Sequence, residues 1–315
     1  MSVIAIARTL LPAGLEPLQQ RAEVRSGGLD ATAEYVREVV AGADVLVADP
    51  TVPVDAALLD AAGSQLGLVA NFAVGHDNVD LELCRSRGVA VTNTPDVLTN
   101  ATAELALALT LASARRLSEA ESDLRKGRWE GWDPAAYRGL ELSGATVGIV
   151  GLGRIGSRYA ELLGGFGVEL LYTGRSRKPE AEEHLGAAWA DLEELLERSD
   201  AVSIHAPAGP ETKHLIDADA LHRMKARAVL VNTSRGSLVD LDAVATALRE
   251  GSLGAAGLDV YENEPEVPPA ILDAPRTVLA PHIGSATVKA RDAMARTVAD
   301  NVIAFLDGRE LPNPV

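Results

Sequence analysis

Three residues in the second half of the chain are of types suited to anion binding and proton transfer. Arg235 lies in Asn232-Thr233-Ser234-Arg235-Gly236, Glu264 in Tyr261-Glu262-Asn263-Glu264-Pro265, and His282 in Pro281-His282-Ile283-Gly284-Ser285. A planar guanidinium can grip a carboxylate with two parallel hydrogen bonds. An imidazole exchanges protons near neutrality, and a carboxylate beside it favours the protonated form. Each residue alone has a plainer explanation: a loop brace, a solvated charge, a structural histidine. Together they form a coherent set, because each follows a strand-like apolar run, and ligands of open α/β sheets bind at such carboxyl ends.

A glycine loop stands earlier, at Gly151-Leu152-Gly153-Arg154-Ile155-Gly156. The G-x-G-x-x-G pattern is weak by itself. Here it follows a strand expected over 146–150 and opens a helix expected over 154–163, the context that dinucleotide binding requires. Gly151 permits the tight turn, Gly153 lets the backbone approach a pyrophosphate, and Gly156 lets the helix pack closely on the strand. The free N–H groups of the helix N-terminus would face the phosphates. An ordinary strand–helix turn is the competing explanation.

Elements must hold these residues in place. Short apolar runs predict strands over 3–7, 45–48, 68–70 and 89–92, alternating with helices around 32–40, 55–62 and 78–87. A long helix is expected from Thr99 to about Lys126, stopped by Gly127. Its stretch 103–114 is apolar nearly all round and needs cover, which a second subunit could give. Residues 128–140 read as irregular and carry Trp129, Trp132, Pro134 and Tyr137. A second strand series is expected at 146–150, 168–172, 201–205, 228–232, 255–260 and 277–280, followed by a helix over 287–306. That last helix comes after the second sheet is complete, so it is expected to cross back. The fold class is therefore α/β: two Rossmann-like domains with parallel sheets. A dinucleotide domain over 99–286 is inserted into a flavodoxin-like substrate domain made of 1–98 and 287–315. Two crossings of the chain suit hinge closure.

With these motifs in this order, the chain resembles the D-isomer-specific 2-hydroxyacid dehydrogenase family over nearly its whole length. The resemblance implies a division of labour. Arg235 would bind the carboxylate and carbonyl of the substrate. His282 would protonate the carbonyl oxygen in reduction and deprotonate the alcohol in oxidation. Glu264 would hold and charge-stabilise His282, and Asp259 would contact the carboxamide side of the nicotinamide. The chemistry agrees, since hydride arriving at a carbonyl carbon builds negative charge on oxygen that an acid must quench. The backbone N–H groups of Val74 and Gly75 would bind the substrate carboxylate, although a tight strand–helix turn explains Asn71–Asn78 equally well from its residues. His76 would line that loop. Trp132 would reach towards a partner subunit's active site or simply pack locally. The dinucleotide would be held by Gly151, Gly153, Arg154, Ile155, Gly156, Gly174, Arg175, Ser176, Arg177, Lys178, His205, Pro207, Thr212, Thr233, Asp259, His282 and Gly284.

Asn93-Thr94-Pro95-Asp96-Val97-Leu98-Thr99 and Trp132-Asp133-Pro134 resemble the glyoxylate and hydroxypyruvate reductase branch. The substrate would then be a small 2-oxo or 2-hydroxy acid. Two alternatives stand beside this: another D-2-hydroxyacid dehydrogenase, such as a phosphoglycerate dehydrogenase, and a dinucleotide-sensing scaffold like the co-repressors of the same superfamily. For the cofactor, NADP is expected over NAD. An NAD site places an acid ~20 residues past the glycine loop, on the ribose hydroxyls. Here that strand runs into Thr173-Gly174-Arg175-Ser176-Arg177-Lys178, with Gly174 in place of the acid. Arg175, Ser176 and Arg177 or Lys178 would suit a 2′-phosphate; a solvated basic loop, compatible with NADH, is the alternative.

Composition narrows the remaining classes. The formal net charge is −16 over 315 residues, which repels phosphate backbones and argues against nucleic acid as a partner. The apolar share of 47 % supports a buried core, while 3 % aromatics leaves most packing to Ala, Leu and Val. Cys84 is the one cysteine; it reads as a packing residue and fits a reducing, cytoplasmic setting. The first residues read as a strand, and no apolar run is long enough for a membrane span. No His, Cys and carboxylate cluster has metal-ligand spacing, so no metal is expected. His184, His214 and His222 are expected at the surface. A homodimer built on the dinucleotide domain is expected from the apolar helix and from the resemblance.

Overall fold

The computed structural model describes residues 2–315. The chain divides into two compact units, Met1–Leu98 with Ser285–Val315, and Thr99–Gly284. The first unit opens with β1 (Val3–Ile6), α1 (Pro12–Gln19), β2 (Glu23–Ser26), α2 (Ala33–Val40), β3 (Val45–Ala48), α3 (Ala56–Ala62), β4 (Leu68–Asn71), α4 (Leu81–Ser86) and β5 (Ala90–Thr92). The second unit begins with α5 (Thr99–Ala114) and α6 (Leu117–Arg125). It continues through β6 (Thr146–Val150), α7 (Arg154–Leu163), β7 (Glu169–Thr173), α8 (Pro179–Leu185), β8 (Ala187–Trp189), α9 (Leu192–Arg198) and β9 (Ala201–Ile204). It ends with α10 (Ala218–Arg223), β10 (Val229–Asn232), α11 (Leu241–Glu250), β11 (Ala255–Leu258), α12 (Pro269–Leu272) and β12 (Thr277–Leu279). The last helix, α13 (Val288–Leu306), belongs to the first unit and packs on α1 and β4.

Both sheets are wholly parallel. The first has the order β2-β1-β3-β4-β5, the doubly wound order of flavodoxin-like sheets. The second has the order β12-β11-β10-β9-β6-β7-β8. Counted from β6, that is the Rossmann order 3-2-1-4-5-6 with one further strand at the edge. The inner strands β3, β4, β9, β10 and β11 are buried at every residue. Sheets covered by helices on both faces require such continuous apolar runs.

The elements the sequence did not announce lie where apolar patterning is weak. Strand β2 is an edge strand of sequence EVRS with none of its residues buried. Strand β8 is likewise an edge strand, three residues long with one buried position. Helix α1 carries Gly14 and Pro17, both poor helix formers. Gly14 is explained by α13: a Cβ there would stand 2.3 Å from the Ala295 carbonyl oxygen.

The expected single helix over 99–126 is two helices. Arg116 adopts a left-handed backbone, φ 52°, between α5 and α6. The Ala114 carbonyl accepts the N–H of Leu140 at 2.8 Å instead of continuing a helical ladder. The Arg116 side chain then closes the first turn of α6 by pairing with both carboxylate oxygens of Glu119 at 2.9 and 2.7 Å. One face of α5 packs within its own unit, against α7, β10 and β11, while Leu105, Leu107 and Leu111 are only half-buried and Ala108 is exposed. Residues 128–140 form no helix or strand, and Trp129 and Trp132 are exposed. Cys84 is fully buried, and burial pushes its thiol above the ordinary value. Among the described residues no helix is long and apolar enough to cross a membrane, and no group of three or more His, Cys, Asp or Glu could hold a metal ion.

Candidate active site

Strands β10, β11 and β12 are adjacent and parallel, so the loops that follow them lie at one edge of the second sheet. Those loops carry Arg235, Glu264 and His282. The turn after β10 is braced by Asn232, which is fully buried. Its Nδ2 donates to the Arg235 carbonyl at 2.8 Å, and its Oδ1 accepts from the Ser234 N–H at 3.0 Å. Arg235 is half-buried, and its Nη1 donates to the Ser234 carbonyl at 2.8 Å. Gly236 follows because nothing larger fits: a Cβ would lie 1.9 Å from the Tyr261 carbonyl carbon. That contact seats the Arg235 loop on the Glu264 loop.

Glu264 uses both oxygens. Oε1 accepts the Tyr261 N–H at 3.0 Å, and Oε2 lies 2.6 Å from His282 Nδ1. Burial pushes the Glu264 carboxyl up. The hydrogen bonds from His282 and Tyr261, with the charges of His282 and Arg235, outweigh burial and hold it below the usual carboxylate value. With Nδ1 committed to Glu264, the imidazole is left with Nε2 for a ligand.

Asp259 was expected at the nicotinamide, and its hydrogen bonds give it a further task. It is completely buried. Its Oδ1 accepts the Ile283 N–H at 2.7 Å and its Oδ2 the Gly284 N–H at 2.8 Å, while its backbone carbonyl accepts the His282 N–H at 2.8 Å. One carboxylate and one carbonyl thus capture three successive N–H groups and hold His282 in a left-handed conformation, φ 53°. Burial raises the Asp259 carboxyl, and the two backbone donors oppose that. Gly284 completes the anchor, its carbonyl accepting from Thr102 Oγ1 at 3.3 Å.

The glycine loop has the geometry its motif requires. Gly151 has φ +99°, and a Cβ there would meet the Ala206 nitrogen at 2.7 Å. Gly156 would place a Cβ 2.2 Å from the Gly151 carbonyl oxygen, so the start of α7 lies directly on the turn. Gly153, the N-cap of α7, has nothing within 4 Å of its Cβ position. Arg154 and Ile155 form the first turn of the helix. The Gly151 contact also brings in the loop after β9, where Thr212 Oγ1 bonds the Pro207 carbonyl at 3.0 Å. His205 points its ring inward, with Nε2 2.9 Å from Ser203 Oγ and the ring 5.1 Å from that of Tyr159. Burial pushes this imidazole down to about 3, so it stays neutral and adds no charge to the loop. Thr233 Oγ1 is buried without a hydrogen-bond partner. A helix N-terminus after β6 and an unsatisfied buried hydroxyl after β10, both at the strand ends of one sheet, fit a bound dinucleotide.

Gly174, Arg175, Ser176, Arg177 and Lys178 follow β7 as an exposed loop with no acid at the strand end. The three cations are not equivalent: Arg177 pairs with Glu182, and Lys178 Nζ donates to the Leu152 carbonyl of the glycine loop at 2.5 Å. His184 and His222 are exposed, whereas His214 is half-buried and paired with Glu262 at 3.0 Å.

In the first unit, the loop after β4 is fixed by asparagines. Asn71 Nδ2 donates to the Gly75 carbonyl and Asn93 Nδ2 to the Val74 carbonyl, both at 2.8 Å. Asn78 ties the same loop to the Asp49 and Val52 carbonyls. With their carbonyls occupied, Val74 and Gly75 keep their N–H groups for another acceptor. His76 is half-buried in this loop. The sequence reading passed over Asn71, Asn93, Asn232 and Gly236. The available signal was an asparagine ending a buried strand, since such a side chain must find backbone partners.

The family model for the NAD binding domain of D-isomer specific 2-hydroxyacid dehydrogenases matches residues 107–284. A glyoxylate reductase of Thermococcus litoralis is 50% identical over 286 residues, 90% of this chain and 85% of that protein. A glyoxylate reductase of Thermococcus onnurineus is 45% identical over 99% of this chain and 95% of that protein. Among solved structures, a Thermus thermophilus protein superposes with TM-score 0.93 at 43% identity, covering 100% of both chains. The NADPH-dependent glyoxylate/hydroxypyruvate reductase of Sinorhizobium meliloti, in complex with NADP and malonate, gives TM-score 0.89 at 38% identity, covering 100% of this chain and 96% of that one. The chain belongs to the D-isomer-specific 2-hydroxyacid dehydrogenase family.

Proposed function

We propose that this NAD(P)-dependent dehydrogenase reduces glyoxylate and hydroxypyruvate to glycolate and glycerate, prefers NADPH, and works as a homodimer. The observation that carries the reading is the Glu264–His282 pair at 2.6 Å, on a loop seated directly against that of Arg235. Kinship with glyoxylate reductases supports the substrate class.

The dinucleotide, when bound, supplies the hydride. Its phosphates are expected at the N-terminus of α7, over Gly151, Gly153, Arg154, Ile155 and Gly156, with His205, Pro207, Thr212, Thr233, Asp259 and Gly284 around the rest. The Arg235 guanidinium is a partner for the substrate carboxylate and also orients the carbonyl. As negative charge grows on the carbonyl oxygen, His282 Nε2 gives it a proton. Glu264 stabilises the imidazolium beforehand and keeps the ring oriented. Run backwards, His282 takes the proton from the hydroxyl. NADPH preference is supported by the absence of an acid after β7 and by Arg175, which makes no hydrogen bond or ion pair among the described residues. The homodimer is supported by Leu117, Leu124, Trp129 and Trp132, all exposed on α6 and the segment after it. Trp132, 85 % exposed, is the candidate to meet a partner subunit.

The decisive experiment is turnover by the purified protein with glyoxylate, hydroxypyruvate, pyruvate and a phosphorylated 2-oxo acid, each with NADPH and NADH. The highest kcat/KM is expected with glyoxylate or hydroxypyruvate and NADPH. Preference for the phosphorylated acid would reassign the substrate. Dinucleotide binding without any turnover would favour a sensing scaffold. A stable monomer in sedimentation at micromolar concentration would remove the dimer.

A further inference from the structure

We propose that Glu182 sets how strongly this enzyme discriminates between NADPH and NADH, by withdrawing Arg177 from the cofactor's 2′-phosphate. The proposal rests on the reading that the Gly174–Lys178 loop faces the adenosine ribose. The loop looks strongly basic in sequence, and its side chains are largely committed in the structure. Arg177 offers Nε and Nη2 to the two oxygens of Glu182 at 3.1 and 2.8 Å, a bidentate pair. Its guanidinium carbon also lies 6.0 Å from the ring centroid of Trp189.

Glu182 cannot easily let go, because it is held from below. The hydroxyl of Tyr172, a fully buried residue of β7, donates to Glu182 Oε1 at 2.6 Å and accepts the Lys178 N–H at 2.7 Å. The Glu182 side chain is 18% exposed against 62% for Arg177, so the acid is the fixed member of the pair. The hydrogen bonds from Arg177 and Tyr172 hold the Glu182 carboxyl below its usual value, and the same pairing raises Arg177. Both groups therefore stay charged across the working range.

The consequence is electrostatic. A 2′-phosphate must compete with Glu182 for Arg177 and is also repelled by the carboxylate. Arg177 and Glu182 together contribute no net charge, and the Lys178 ammonium bonds the Leu152 carbonyl. Arg175 is left as the uncommitted cation. NADH lacks the phosphate, so it gains little from a freed guanidinium. Removing the Glu182 charge should thus change the ratio of the two affinities and leave the dinucleotide site as a whole intact.

The test is titration of the full-length protein with NADPH and with NADH, at low and high ionic strength. Glu182→Gln keeps an acceptor for Tyr172 and removes the charge. It should tighten NADPH about fivefold at low salt, with NADH changing less than about twofold, and the gain should shrink as salt screens the phosphate. Glu183→Gln makes the same change of net charge at the exposed neighbour and should leave the ratio unchanged. If Glu182→Gln melts early, Glu182→Asp, one methylene shorter, should loosen the bidentate pairing and shift the ratio in the same direction by less. An unchanged ratio overturns the proposal, and so does equal weakening of both cofactors, or an equal gain in Glu183→Gln. The ratio in the unmodified enzyme tests the cofactor reading separately: a parent that favours NADH overturns that reading, whereas the change from parent to variant decides the role of Glu182.

Discussion

Two loop systems at the strand ends of the same sheet are held in different ways. The loops bearing Arg235, Glu264 and His282 are fixed from within. Asn232 and Asp259, both fully buried, capture their backbone groups, and Gly236 permits backbone contact between neighbouring loops. The loop bearing Arg175, Ser176 and Arg177 has its cations at the surface; Arg177, more than half exposed, pairs with Glu182, and the Tyr172 hydroxyl ties that pair and the Lys178 N–H to the sheet. Buried, hydrogen-bonded carboxylates and amides tolerate little change, since an unsatisfied partner has no water to turn to. Exposed charges can be exchanged at small cost to the fold. The difference implies that the loops of Arg235, Glu264 and His282 tolerate little change, while the loop after β7 accepts substitution at small cost to the fold.

Substitutions at four positions test that contrast, in falling order of effect. Arg235→Ala should lower kcat/KM by about a thousandfold or more with dinucleotide affinity nearly unchanged, since positioning of this kind accounts for several kcal/mol of a barrier. Arg235→Lys should remain poor, because a point charge cannot reproduce a bidentate grip. Steady-state kinetics beside dinucleotide titration checks both, and efficiency within a few-fold of the parent would remove the residue from the site.

Asp259→Asn keeps the shape and turns one acceptor into a donor facing an N–H. A loss of about 2 kcal/mol in stability is expected, together with a drop in kcat of ten- to a hundredfold as the His282 backbone is released. Thermal melting with and without the cofactor, set beside kcat, is the measurement. A parent-like melting temperature and kcat would show that the anchor is dispensable.

Glu264→Gln should act mainly on the pH profile. Glu264 is held below the ordinary carboxylate value, so in the parent it stays ionised above that range and loses its charge only as pH falls through the lowered pKa. The charge it supplies favours protonated His282, the form needed for reduction. Removing it should lower the rate of reduction and move the alkaline limb of its pH profile towards lower pH. An unshifted limb would show that the two residues are not coupled in the working enzyme.

Arg175→Ala should have the smallest effect, confined to one cofactor. The KM for NADPH should rise about tenfold, with NADH kinetics and melting temperature unchanged. A parallel loss with both cofactors would mean that this loop is as structural as the other.

Much of this was legible from one dimension. The G-x-G-x-x-G turn was recognisable because each glycine answers a local demand, and the structure shows two of those demands as near-collisions for a Cβ at Gly151 and Gly156. The buried strands of both sheets were legible because parallel strands covered on both faces must be continuously apolar. Edge strands β2 and β8 were not, since half their surface faces away from the core, and α1 was hidden by Gly14, which only its contact with α13 explains.

The sequence by itself thus determined the α/β alternation, the glycine turn and the residue types able to bind an anion and move a proton, because local periodicity and side-chain chemistry are written residue by residue. Only the tertiary structure decided that the helix after Thr99 breaks at Arg116, that one face of α5 packs on α7, β10 and β11, that Asp259 anchors the His282 loop, and that Arg177 is paired with Glu182. Each of these depends on a partner distant in the chain or on a turn that brings neighbours face to face. A burial or a pairing belongs to two residues at once, and no single stretch of sequence carries it.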